Sequence, residues 1–417
     1  MTSERVYVWT WLADREDPVV AGALDPVGDR LHFVYGRSYL ARPDAVPLYL
    51  PELPLQPGDQ PPPDGLELAG CLDDGTPDAW GRRVILRRIH AADSRDVDTA
   101  TLPTVTYMLA SGTDRIGAND FQTSPDTYVP READATLAEL LTAADRLQAG
   151  EPFSAAIDGV LDAGSSVGGA RPKATVTAAD GRALIAKLST PTDTTPVVRG
   201  EAVAMELARR AGLDVAATER VTVLDRDVLL VERFDRIPGT RRRRAVVSAL
   251  TLLGLGELYA RYATYPDLAH IIRARFTDPT DTLTELYSRL VFNVLIGNRD
   301  DHARNHAAFW DGHELTLTPA YDLDPQPRDT GEATQAMAVT RAGDRRSRLA
   351  TCLDAAAEFL LSDAQARTIM DRLVQTVVDD FDDAADTVGL TELDRTLLWR
   401  RALLHPYAFE AYGPAPA

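Results

Sequence analysis

Gly297-Asn298-Arg299-Asp300-Asp301-His302-Ala303-Arg304-Asn305, followed by Thr318-Pro319-Ala320-Tyr321-Asp322, is the stretch on which the reading of this 417-residue chain turns. Moving a phosphoryl group to a hydroxyl needs a carboxylate that orients the hydroxyl and takes its proton. It also needs oxygen ligands that hold Mg²⁺ against the phosphates of ATP. Asp300 and Asn305 stand five residues apart, which puts such a base and a metal ligand on the same side of a short loop. Asp322 comes 17 residues after Asn305, beyond a hairpin predicted over 307–310 and 315–317, where the second metal-binding carboxylate belongs. Taken singly, Asn298, Asp300 and Asp301 also suit turn and cap positions after a helix. His302 and His306 share one helical face, as zinc ligands would, but Ala303 occupies the place of the Glu in His-Glu-x-x-His and no third ligand is evident.

Working upstream, Gly164-Ser165-Ser166-Val167-Gly168-Gly169-Ala170-Arg171-Pro172-Lys173 supplies small residues that let backbone N–H groups approach phosphate oxygens. It is neither Gly-x-Gly-x-x-Gly nor a Walker A loop, and a flexible linker has the same composition. A strand follows, then Lys187 inside the apolar run Ala183 to Leu188. An ammonium there requires a partner, which an ATP phosphate or Glu201 on the next helix would provide. Val231-Glu232-Arg233-Phe234-Asp235-Arg236 leaves a strand and enters a helical region, the position of an adenine-reading hinge or of a plain charged turn. The order of Gly loop, strand Lys, helix Glu, Asp, Asn and metal Asp is that of protein kinases. The run Arg241 to Arg244 reads as a solvated loop face or a surface for an acidic partner.

Composition sets the outer limits. Hydrophobic residues make up 45% and charged residues 26%, which excludes a fibrous or low-complexity protein. Lys plus Arg is 44 against 63 Asp plus Glu, a net charge of −19 that disfavours direct binding to nucleic acid or anionic lipid. Cys71 and Cys352 are too few for a disulfide framework or a Cys-rich zinc site, so a reducing, cytoplasmic setting is expected, with no membrane span. Val6 to Leu12 and Leu31 to Tyr35 read as strands, 49–66 as a proline-rich loop, and 78–90 as a helix packed on a small N-terminal domain. Strands are predicted at 173–177, 183–188, 221–224 and 228–232, with one helix at 200–211 ending at Gly212. Helices are predicted at 246–255, 281–296, 351–361, 362–385 and 391–403. The expected architecture is α+β and two-lobed. It comprises an N-terminal β-containing domain over 1–150, a strand-rich nucleotide lobe over 151–240 and a mainly helical catalytic lobe over 241–417.

Taken together, Asp78-Ala79-Trp80-Gly81-Arg82, the Gly112 to Ala118 segment, Ser166 to Lys173, Val231 to Arg236, Asp300-Asp301-His302-x-x-Asn305 and Tyr321-Asp322 resemble the HipA family of serine/threonine kinases, toxins of bacterial toxin–antitoxin modules. The resemblance spans nearly the whole chain and implies a kinase-like fold using ATP and Mg²⁺. It implies Asp300 as catalytic base, Asn305 and Asp322 as metal ligands, and Lys187 as the phosphate-contacting lysine. Gly168, Gly169 and Ala170 would lie in the nucleotide loop, Glu232 and Phe234 in the adenine hinge, with Glu201 and His302 in support. Ser166, or Ser165 beside it, matches the regulatory serine whose autophosphorylation inactivates the family by placing a phosphate where the ATP phosphates must bind. Two departures are Arg171-Pro172 in the loop and Arg304 where Lys is common. The resemblance further implies a HipB-like helix-turn-helix antitoxin as the route to DNA and a translation-related substrate of the aminoacyl-tRNA synthetase type. A silent co-repressor scaffold and a small-molecule kinase are the alternatives, the intact set of Lys187, Asp300, Asn305 and Asp322 opposing the first.

Overall fold

The computed structural model of the chain describes residues 5–90, 102–131, 135–149, 151, 171–328 and 331–416. They form two compact units. The first is Met1–Pro191 with Val221–Val247 and Phe309–His313, and the second is Thr192–Arg220 with Ser248–Ala308 and Glu314–Ala417.

In the first unit, alternation of buried side chains builds two antiparallel sheets. The five-stranded sheet comprises β1 (Val6–Thr10), β2 (Val19–Val27), β3 (Arg30–Tyr35), β4 (Asp59–Gln60) and β5 (Asn119–Gln122), in the order β4-β3-β2-β1-β5. Strand β2 has no sequence signature because Asp25 and Pro26 interrupt its pattern, yet Pro26 pairs opposite Leu31 and the strand turns through Gly28 at φ +65°. The two-residue β4 is the one strand inside the proline-rich loop. The second sheet has the order β6 (Lys173–Thr177), β7 (Ala183–Leu188), β9 (Arg226–Glu232), β8 (Thr218–Val223), close to the predicted spans. Two helices, α1 (Ala79–His90) and α2 (Leu137–Ala149), cover it. Trp80 and Val84 of α1 and Leu140, Leu141, Ala143 and Ala144 of α2 bury against Ala174, Ala186, Leu188 and Val228. Helix α1 thus packs Trp80 and Val84 against the second sheet, and α2 is an element the sequence reading lacks.

The second unit is mainly helical. Its first helix, α3 (Val197–Arg210), starts three residues before the predicted span. Then come α4 (Tyr265–Arg275), α5 (Pro279–Ile296) and α6 (Asp363–Val388). Helix α6 buries Ala366, Met370, Leu373, Val377, Phe381, Ala384 and Ala385, a stripe at spacings of three and four. It begins at a Ser362/Gln365 capping box and stops at left-handed Gly389.

Three predicted helices are corrected. Residues 246–255 are a strand over Ala245–Ser248 and one helical turn over Ala249–Leu252: β-branched Val246 and Val247 extend the chain, Ser248 caps the turn by accepting from Thr251 N, and Gly254 ends it at φ +66°. Residues 351–361 divide into Leu349–Asp354 and a 3₁₀ turn over Ala356–Phe359, ended by left-handed Leu360. The helix starting at Thr391 closes at Leu398. Trp399 is extended and stacks on Phe381 at 4.8 Å, and Arg400 and Leu404 adopt positive φ.

Candidate functional site

Helix α5 is buried along most of its length and ends where Gly297 takes φ +71°, so the chain leaves it in a fixed direction. A side chain could not stand there, because a Cβ would lie 2.7 Å from the carbonyl oxygen of Ala402. Asn298 follows, 1% exposed, and organises what comes after. Its amide Nδ2 donates to Asn293 Oδ1 at 3.0 Å and to the carbonyl oxygen of Asp322 at 3.3 Å, while its Oδ1 accepts from the backbone N–H of Asp300 at 3.2 Å. One buried amide therefore ties the helix end, the Asp300 loop and the Asp322 backbone together. The sequence reading gave Asn298 only a turn role; its position two residues before Asp300 was the available signal.

Asp300 is exposed and Asp322 half-buried with φ +61°, a conformation unusual outside glycine. The loop between Asp300 and Asn305 closes on itself: His302 N donates to Asp300 O at 2.8 Å and Asn305 N to His302 O at 2.8 Å. Asn305 Nδ2 also donates to Asp300 O, at 3.1 Å. With its amide N–H so engaged, Asn305 keeps a carbonyl oxygen with no protein donor on it among the described residues. That oxygen and the Asp322 carboxylate are the hard oxygen donors a Mg²⁺ ion takes, so the donor chemistry fits the metal. The hairpin arm begins as predicted, with strands over Ala307–Trp310 and Leu315–Leu317 and Thr318 N donating to Ala307 O at 3.0 Å. Tyr321 OH donates to Arg304 O at 2.7 Å, tying the Asp322 turn to the loop. Arg304 itself pairs with Glu257 at 2.7 Å.

Beneath the loop lies a second buried group. Asp301, 2% exposed, accepts from Tyr265 OH and lies 2.9 Å from His306 Nε2. Burial would push the Asp301 carboxyl up, but His306 and the Tyr265 hydrogen bond outweigh it and hold it below its ordinary value. Burial, then the neighbouring Asp301 charge, pushes the Tyr265 phenol well up, so it stays a donor. His306 thus serves a buried carboxylate, and the zinc pair considered for His302 and His306 is not how this residue is used. Nothing near Asp301 in sequence announces Tyr265, which comes from α4.

The remaining predicted residues distribute as follows. Asp300, His302, Asn305 and Asp322 gather in the second unit, which also holds Glu201, buried in α3. Lys187, Glu232 and Phe234 belong to the first unit. Lys187 is half-buried in β7, opposite Lys173 and Leu229. Glu232 pairs with Arg182 at 3.1 Å, and Phe234 meets Phe309 edge-on at 5.7 Å. Between them, Arg233 and Asp235 point inward and join Asp114 and Arg236 in a buried ion cluster, with Gly117 N donating to Asp235 at 2.7 Å. The Gly112 to Ala118 segment is thereby fixed to the 233–236 turn. Of the arginine run, Arg243 and Arg244 lie over the rings of Trp11 and Phe309, whereas Arg241 pairs with Asp17 at the surface. Ser165, Ser166, Gly168, Gly169 and Ala170 lie outside the described residues.

Comparison with known proteins bears on the family and the fold. A family model described as the HipA-like C-terminal domain matches residues 165–381, just over half the chain. The putative kinase Y4mE of Sinorhizobium fredii is 31% identical over 131 residues, 30% of this chain and 31% of that protein. The serine/threonine-protein kinase toxin HipA of Shewanella oneidensis is 32% identical over 145 residues, 30% of this chain and 34% of that protein. The match therefore spans about a third of the length of either curated relative. Among solved structures, HipA in the Shewanella oneidensis MR-1 complex of HipA, HipB and operator DNA superposes with a TM-score of 0.65 at 20% identity, over 94% of both chains. The α+β, kinase-like fold expected from the sequence is the fold of that neighbour.

Proposed function

The chain belongs to the HipA-like family, and on that premise we propose that it is an ATP- and Mg²⁺-dependent protein serine/threonine kinase. The observation that carries this reading is the Asn298 knot, which holds the backbones of Asp300 and Asp322 to one buried amide. In the proposed reaction Asp300 orients the acceptor hydroxyl and takes its proton as the oxygen attacks the γ-phosphorus. Asn305 and Asp322 would hold Mg²⁺, which neutralises charge on the phosphates when bound. Lys187 would contact the phosphates, the loop containing Gly168, Gly169 and Ala170 would cover them, and Glu232 and Phe234 would line the adenine site. Helix residue Glu201 and loop residue His302 have supporting parts. Positioning accounts for so many buried, hydrogen-bonded groups around one exposed carboxylate, since phosphoryl transfer draws its rate from geometry and electrostatics.

The same reading extends to regulation and partners. Autophosphorylation of Ser166 or Ser165 would silence the enzyme, a HipB-like helix-turn-helix antitoxin would bind it and supply the DNA contact, and the substrate would be a translation-related protein such as an aminoacyl-tRNA synthetase. The cytoplasm is the proposed site of action; among the described residues no helix is long and apolar enough to cross a membrane. The deciding experiment incubates the purified chain with γ-labelled ATP and Mg²⁺ beside Asp300→Ala, followed by phosphopeptide mapping. Label on Ser165 or Ser166 that vanishes in the variant supports the proposal. Equal labelling of both proteins removes Asp300 from the mechanism.

A further inference from the structure

Asp300 borders a pocket of about 370 Å³ lined by Arg299, Asp300, Gln326, Glu332, Ala333 and Thr334. Asn305 and Asp322 are not among its walls. What distinguishes the pocket is that the arginine in its wall is not ion-paired. Arg299 makes no ion pair among the described residues, and its Nε is buried without a hydrogen-bond partner. Arg328, two residues beyond Gln326 in the chain, likewise has no carboxylate partner among the described residues, and its Nη1 is buried and unpartnered. Its Nη2 meets His405 Nδ1 at 3.1 Å, the same ring nitrogen that accepts from Tyr407 N at 3.1 Å. A nitrogen accepting two hydrogen bonds carries no proton, so His405 anchors Arg328 without neutralising it.

Arg328 also feels the charge of Arg299. Burial first, and then the charge of Arg299, lowers the pKa of Arg328; burial followed by both guanidinium groups lowers that of His405. The wall holds two acids, Asp300 and Glu332; both are exposed and neither makes an ion pair with either arginine among the described residues. Several other buried or partly buried arginines of this chain are matched, Arg233 and Arg236 by Asp114 and Asp235, Arg289 by Glu285 and Arg199 by Asp394. Partly buried guanidinium groups left without an anion beside a catalytic carboxylate are arranged for an anion that arrives from outside.

Building on the kinase reading, we infer that Arg299, backed by Arg328, receives an anionic side chain of the acceptor protein, adjacent in sequence to the hydroxyl presented to Asp300. The chain thereby selects serine or threonine flanked by acid. Carboxylate and phosphoamino acid share the required chemistry, and a guanidinium fork suits both. An acceptor-borne anion is favoured over a nucleotide phosphate because the pocket includes the base and excludes both metal ligands.

The test uses the full chain and four serine peptides identical except for the residue next to the acceptor: Glu, phosphoserine, Gln or Lys. The parent is expected to show kcat/KM about tenfold higher for the Glu or phosphoserine peptide than for Gln, the size of one charge-assisted hydrogen bond. Which of the two leads identifies the natural anion. Arg299→Glu should invert the order so that the Lys peptide leads, a gain that misfolding cannot produce, and Arg328→Gln should shrink the acid preference several-fold. Equal rates on all four peptides, or an acid preference that survives Arg299→Glu, overturns the inference while leaving the kinase reading intact. A second measurement, fluorescence anisotropy of the labelled Glu peptide without nucleotide, separates the two ideas from the other direction. Binding that Arg299→Glu abolishes, with no peptide phosphorylated by the parent, supports the anion receptor and removes the kinase. Absence of binding together with absence of acid preference in turnover removes the receptor.

Discussion

Asn298 shows how much one buried amide can determine. Three hydrogen bonds leave it, each to a different part of the site, and no other side chain can supply both donor and acceptor in that geometry. Asn298→Ala is expected to cost about 1–3 kcal/mol, because the groups it served are left unpaired. The accompanying loss in kcat should exceed the loss in ATP affinity, since it is the relation of Asp300 to Asp322 that loosens; urea unfolding and steady-state kinetics on the same preparation check both. Tyr265 makes a parallel case under Asp301. Tyr265→Phe removes one donor from a buried carboxylate and should destabilise by about 1–3 kcal/mol at neutral pH. Because Asp301 is held below its ordinary pKa in the folded state, its contribution is present above the carboxylate range and fades as pH falls through it. The parent and Tyr265→Phe should therefore converge in acid, as urea midpoints across a pH series would show. These two residues also mark what sequence could and could not disclose. Asp300, Asn305 and Asp322 could be proposed as a set because that reading depends on spacing along the chain. Tyr265 and the arginine pocket depend on spacing across the fold, where sequence distance carries no information.

Elements were legible in proportion to how local their causes are. Strands Lys173–Thr177 and Ala183–Leu188 fall on their predicted residues because period-two burial is written into them, and Asp363–Val388 carries its stripe, its capping box and its terminal glycine in plain view. Strand Val19–Val27 was invisible because pairing, not alternation, holds it extended, on both sides up to Leu24 and on one side through Pro26. The predicted helix over 246–255 failed because tertiary pairing drew Val246 and Val247 into a strand and a serine cap began the turn afterwards. Gly297 joins the element scale to the site. It ends Pro279–Ile296 in the left-handed region and touches the Ala402 backbone, so Gly297→Ala faces both a conformational penalty and a clash. We expect a loss of at least about 1–2 kcal/mol from the backbone conformation alone. Phosphotransfer should fall with it, because Asn298 is the next residue; comparing thermal midpoint and rate on one preparation tests the pair.

At the scale of the molecule, net charge and local pairing respond differently to acid. The chain carries −19 at pH 7, so protonation relieves overall repulsion down to the pI near 4.8, below which positive charge accumulates and repulsion returns. The first unit meanwhile depends on the buried cluster of Asp114, Arg233, Asp235 and Arg236, which ties the 112–118 segment to the 233–236 turn. Burial alone would raise the Asp235 carboxyl, but Arg233, Arg236 and the Gly117 N–H more than reverse this and hold it at about 2. An unfolded aspartate titrates near 3.9, so folding favours the ionised form by on the order of 2–3 kcal/mol above that pH. The sign is that of a depressed carboxylate: the contribution is complete above about pH 4 and disappears as pH falls towards 2. Asp235→Asn keeps the shape and removes the charge, leaving the general repulsion nearly unchanged. It should destabilise the first unit by about 3 kcal/mol or more at pH 7, where Arg233 loses a buried partner, and by much less near pH 2. Four of the five tryptophans, Trp9, Trp11, Trp80 and Trp310, lie in that unit, so intrinsic fluorescence reports its unfolding directly. A constant gap between parent and variant from pH 7 to pH 2 would show that the Asp235 charge does not hold this unit together.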